Sequence, residues 1–211
     1  IDWVAKALIV LLLFKPTTSW ANDIYLYQIG DDVTVTITQD GENNKIGSLS
    51  NLSGQAFVGS LDGATLSYTQ TGDGNELGLY NADIGESNVT SVQTGNNNEA
   101  VIDCHGEDCT MSLTQTGRNN TAHLESGGSY SDSDNNITGT QTGDNQDMYL
   151  EVNSGSTNTI TAEQYCTEGA NCTTSDMDVN ITGSTNSVAV VQGRLYDNNQ
   201  GSLSTDLNEP G

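Results

Sequence analysis

Positive charge, proline, aromatic rings and long apolar runs are all scarce in this sequence, and each scarcity removes a class of protein. Five Lys and Arg stand against 28 Asp and Glu, a formal net charge of −23. So acidic a chain repels phosphate, which argues against nucleic acid as a partner. Only 34% of the residues are hydrophobic and 6% aromatic, whereas a thick globular core needs roughly half apolar residues. With two prolines and abundant Thr and Val, β-structure fits better than disorder. There are two histidines and no GxSxG, HExxH or phosphate-loop pattern. The plentiful carboxylates are scattered along turns, so no catalytic residue, cofactor or metal is expected. What remains is a thin, repetitive, turn-rich fold.

The longest apolar run, KALIVLLLF from Lys6 to Phe14, falls short of the ~20 residues a membrane-spanning helix requires. It follows a positive charge and precedes KPTTSWA, whose Ser19 and Ala21 are the small residues a signal peptidase requires before its cut. Residues 1–21 are therefore expected to be a signal peptide rather than an anchor or a buried helix. Their removal would take away Asp2, Lys6 and Lys15 and shift the charge from −23 to −24. Export would also permit disulfides.

Self-similarity organises the rest. QTGDGN begins at Gln70, QTGNNN at Gln93, QTGRNN at Gln115 and QTGDNQ at Gln141, with QDGENN earlier at Gln39. Marking the Gln position of each unit gives Gln28, Gln39, Gln70, Asp83, Gln93, Cys104, Gln115, Ser126, Gln141, Asn153, Gln164, Ile181 and Gln192. Many intervals are 11 residues, and insertions near 128–135 and 166–178 lengthen two others. The gap from Gln39 to Gln70 is read as two degenerate turns, near Leu52 and Leu61. Within units, apolar residues fall on every second position, as in Ala100, Ile102, Cys104 or Ile160, Ala162, Gln164. Period two puts them on one face of a strand.

The pattern predicts an all-β chain. Two half-repeats make one coil of a β-solenoid, with about seven coils over residues 22–192 and a C-terminal strand or capping tail over 193–211. Stacking puts like residues above like. Gln70, Gln93, Gln115, Gln141, Gln164 and Gln192 should then form an inward amide ladder, accompanied by Asn75, Asn98 and Asn120. Gly41, Gly72, Gly95, Gly117 and Gly143 should supply positive φ in the turns.

Units of Q-x-G-x-x-N followed by alternating apolar positions, from about Gln28 to Gln192, resemble the curlin repeat of curli fibre subunits. That resemblance implies export across the outer membrane and polymerisation as functional amyloid on the cell surface, supporting adhesion and biofilm matrix. The implied partners are further copies of the chain and a curli-type nucleator or export apparatus, with extracellular surfaces or glycans beyond them. Degenerate motifs on one side, four cysteines and strong acidity depart from the family pattern.

Two other features invite functional readings. Cys104 and Cys109 bracket one turn in DCHGEDC, and Cys166 and Cys172 bracket another in CTEGANC. Local disulfides are favoured over zinc, which would want a second ligand pair at metal-like spacing, although sequence alone allows three pairings. Acidic turns such as GENN and GDGN lack the GGxGxDx spacing of calcium-binding solenoids. On the outward parity, Thr65, Thr69, Thr90, Thr110, Thr114, Thr138 and Thr140 form a Thr-rich face. It offers the alternative of a monomeric solenoid that binds ice or glycan. A fibre component of a phage or cell envelope is a third reading.

Overall fold

The computed structural model describes residues 8–11, 22–24, 26–27, 32–46, 57–58, 60–127, 134–166, 176–194 and 203–208. These residues are all-β, and every pairing between strands is parallel. The chain alternates between two long sheets. The first contains Leu8–Leu11, Thr34–Thr38, Thr65–Thr69, Asn88–Val92, Thr110–Thr114, Asn136–Gln141, Thr157–Cys166 and Thr185–Arg194, in that order. The second runs Asn22–Ile24, Asn44–Ile46, Leu77–Gly85, Ala100–Cys104, Ala122–Ser126, Asp147–Val152, Asp176–Thr182 and Leu203–Asn208. Sequence order equals spatial order in both sheets, which is the topology of a β-solenoid.

The core is a narrow double row. Leu66, Val89, Met111, Ile137 and Ile160 from the first sheet and Leu77, Ala100, Ala122, Met148 and Met177 from the second line it, all buried. Sizes are complementary across it. Gly139 occupies an inward position where an added Cβ would come within 3.0 Å of the Met148 sulfur and 3.3 Å of Leu150. A small residue in one sheet thus admits large ones from the other.

Three expectations need correction. Thr34–Thr38 pairs directly with Thr65–Thr69, so Gln39 and Gln70 belong to the same side and two further turns cannot lie between them in the stack. Phe57–Val58 instead pairs with Leu26–Tyr27, and Ser60–Asp62 with the end of Leu77–Gly85. Leu61 therefore lies against the end of a second-sheet strand and not in a coil of its own; Leu52 lies outside the described residues. On the second sheet the rung beside Ser126 is Val152, buried, while Asn153 is exposed. A one-residue slip puts a polar side chain into water and an apolar one inside. Similarly Ala82, not Asp83, pairs with Cys104 across a register shift.

The third correction concerns the turn glycines. None of Gly41, Gly72, Gly95, Gly117 and Gly143 takes positive φ. The following residue does so instead: Glu42 at 74°, Asp73 at 79°, Asn96 at 93°, Arg118 at 107° and Asp144 at 82°. An added Cβ would meet nothing nearer than 3.4 Å at Gly41, 3.8 Å at Gly72 and Gly95, and 3.5 Å at Gly117. Steric crowding therefore does not explain these four glycines.

Candidate functional site

Three surfaces of the stack carry chemistry: the inward amides at the turn, the outward face of the first sheet, and the outward face of the second. The amides come first because they hold the other two in register. Gln70, Gln93, Gln115 and Gln141 are buried. The Nε2 of each of the first three donates to the Oε1 of the next, at 2.9, 2.9 and 3.1 Å. The same nitrogens donate their other proton to a backbone carbonyl six residues on: Gln70 to Glu76 at 2.6 Å, Gln93 to Glu99 at 2.7 Å and Gln115 to Thr121 at 2.9 Å. Gln39 and Gln141 reach Lys45 and Asp147 in the same way, at 2.6 and 2.8 Å. This double use answers why the motif keeps Gln: a shorter Asn would not span both partners. Gln192 donates to Gln164 at 3.2 Å.

At the far side of the same turn Asn120 donates to Asn98 (2.6 Å), Asn98 to Asn75 (2.7 Å) and Asn75 to Asn44 (2.8 Å). The donors of this row point toward the N-terminal end, opposite to those of the glutamine row. The row stops at Asn120, whose Oδ1 has no partner. The next rung is Gln146, and its longer amide turns away to the Tyr165 carbonyl at 2.8 Å. At the opposite turn Asn135 donates to Asn158 (3.1 Å) and Asn158 to Asn186 (3.2 Å). Cys104 and Cys109 are joined by a disulfide with Cα atoms 6.4 Å apart. The pairing of Cys166 with Cys172 lies outside the described residues.

The outward face of the first sheet carries three in-register columns. The central one reads Thr36, Ser67, Thr90, Ser112, Thr138, Thr161, Ala189. It is flanked by Thr34, Thr65, Asn88, Thr110, Asn136, Thr159, Ser187 and by Thr38, Thr69, Val92, Thr114, Thr140, Glu163, Val191. Hydroxyls thus repeat at ~4.8 Å along the stack and ~6.7 Å along each strand. Only Glu163 brings a charge into these columns, in a chain of net charge −23.

The outward face of the second sheet is its opposite. Asp103, Glu125, Glu151 and Asn180 form one column, and Val101, His123, Tyr149 and Asp178 the next. Burial, followed by the charges of Asp103 and Glu151, holds the Glu125 carboxyl above its ordinary range, against the opposing pull of His123 and His105. His105 pairs with Asp103 at 2.7 Å. The Tyr149 hydroxyl donates to Glu151 Oε2 at 2.6 Å, and that bond with burial pushes the phenol up to about 12. Asn153 Nδ2 donates to Glu125 Oε1 at 2.7 Å.

The acids at the turns act locally instead. Asp73 accepts the Glu42 amide at 2.7 Å, and Asp108 accepts the Asp134 amide at 2.6 Å. Each carboxylate satisfies a backbone donor of another unit.

Sequence reasoning missed two groups: the Thr34, Thr36 and Thr38 row, and the juxtaposition of His123, Glu125 and Glu151. Correct register was the signal for both. Comparison with protein-family models, curated proteins and solved structures returns no significant match.

Proposed function

We propose that the chain is a structural subunit of the curlin-repeat type. In this reading about seven coils of two strands each, exported to the cell surface, associate end to end into fibres that support adhesion and matrix. One observation carries the reading. Val188 and Val190, paired with the fully buried Ile160 and Ala162, are only partly covered on the last strand of the first sheet. Among the described residues no further strand follows Thr185–Arg194 in that sheet. A second copy stacked there would bury both valines and extend the sheet's hydrogen bonding.

Incubating the purified chain and following thioflavin fluorescence with electron microscopy tests this. Fibres should form, and Val190→Lys should suppress their growth while leaving the monomer folded. A chain that stays monomeric at every concentration and ionic strength overturns the proposal.

The second reading rests on the threonine columns. A flat, regularly spaced and nearly uncharged hydroxyl face on so acidic a chain fits an ordered, neutral ligand surface such as ice or a glycan. Inhibition of ice recrystallisation, or glycan-array binding abolished by Thr90→Lys, would favour it.

A further inference from the structure

The column on the second sheet brings together three side chains that no single stretch of sequence contains. His123 and Glu125 lie two residues apart on Ala122–Ser126, so both project outward; Glu151 stands beside Glu125 on the adjoining strand. Their potential ligand atoms all lie within 4.8 Å of one another. His123 Nε2 is 3.6 Å from Glu125 Oε2. That is near the separation of about 3.3 Å that two ligands adopt on a tetrahedral ion with bonds of about 2.0–2.1 Å.

The imidazole supplies an observation independent of the acids. Its Nε2 is enclosed yet has no hydrogen-bond partner. An enclosed nitrogen with nothing to bind is destabilising, and here it sits 3.6 Å from Glu125 Oε2 and within 4.8 Å of a Glu151 oxygen, beyond a hydrogen bond but close enough to share an ion. Neighbours outside the triad fix all three side chains. Tyr149 packs edge-on against the His123 ring at a centroid distance of 4.8 Å, and its hydroxyl holds Glu151. Asn153 holds Glu125 Oε1, which leaves Oε2 toward the histidine. Outer contacts of this kind orient ligands in metal sites.

From this geometry we infer that His123, Glu125 and Glu151 form a binding site for a divalent transition cation of the zinc type. One nitrogen and two carboxylate oxygens suit such an ion better than calcium, which takes six to eight oxygens. The ion bridges two successive strands of the second sheet and neutralises two carboxylates of the column. Water completes the coordination. Binding here requires no second copy of the chain.

The test titrates the full chain with Zn²⁺ alone. Calorimetry should give one site per chain, weakened at least tenfold in His123→Ala and in Glu151→Gln and unchanged in Asp178→Asn, whose carboxylate is exposed on the same face. The chain has two histidines, so proton NMR of the imidazoles supplies a readout that survives a poorly folding variant. Zn²⁺ should shift the His123 ring resonances and leave those of His105 in place. Equal shifts at both rings, no shift at either, or an affinity unaffected by His123→Ala would each overturn the site.

Discussion

An amide in a ladder has the same chemistry whether water reaches it or not, so its surroundings decide what it contributes. Asn97, Asn119 and Asn145 form an exposed row, at 3.0 and 2.8 Å, on the outside of the turn whose inner side holds the glutamines. Water can replace each exposed bond. Nothing can replace those of Gln115, which donates to Gln141 and Thr121 and accepts from Gln93 and the Glu99 amide. Gln115→Leu should therefore destabilise the chain by roughly 1–3 kcal/mol, and Asn119→Ala by about 0.5 kcal/mol or less. Urea unfolding measures both, and equal effects would mean burial does not set the ladder's strength. Backbone geometry offers a second contrast. Asn96 bears a φ of 93°, while Gly95 beside it does not take positive φ and has room for a Cβ. Gly95→Ala should change stability by less than about 1 kcal/mol, and Asn96→Gly should raise it by a few tenths to about 1 kcal/mol. A large loss from Gly95→Ala would show that the glycine has a role the turn geometry does not reveal.

Strands and turns divide the stabilising work differently. The disulfide between Cys104 and Cys109 closes a very short loop, for which chain entropy gives a stabilisation of about 2 kcal/mol. Reduction should lower the melting temperature, and Cys104→Ser with Cys109→Ser should match the reduced protein. Unchanged melting on reduction would count against a stapling role. Most strands could be read from the sequence because two signals coincide in them: apolar residues at period two and an amide at each end. Leu66 and Tyr68 before Gln70, and Met111 and Leu113 before Gln115, leave one register that buries apolar groups and pairs amides at once. Where one signal fails, so does the reading. Near Leu52 and Leu61 no Q-x-G-x-x-N motif fixes the spacing, and near Asn153 the amide competes with Val152, which is the better core residue. The His123, Glu125 and Glu151 group needed register across 26 residues and an insertion, so it became visible only with both strands placed.

The whole molecule is governed by its acidity. Burial raises the Glu99 carboxyl above its ordinary range, with the Glu76 charge adding to the effect. Burial likewise leads in raising Asp147, opposed by a backbone hydrogen bond from Asp176 and assisted by that residue's charge. Each folded-state pKa thus exceeds its unfolded value. Between the two values the folded chain holds a proton that the unfolded chain has released, so stability rises as pH falls through this window. The melting temperature should therefore increase from pH 7 toward about 5. Glu99→Gln should melt higher than the parent at pH 7 and rise less on acidification; a parent that melts lower at about pH 5 would refute this. Added salt should likewise speed any end-to-end association, since it screens repulsion between acidic turns within ~10 Å and leaves strand pairing intact. The two amide rows that flank each turn bear on how long such a stack can become. Every amide is a small electric dipole, and hydrogen-bonded amides polarise one another. A single row aligned throughout would build up a field with each added unit, as the aligned peptides of a helix do. The glutamine row from Gln70 to Gln141 is aligned one way and the asparagine row from Asn120 to Asn44 the other. Their fields oppose, so lengthening the column adds cohesion without charging its tips.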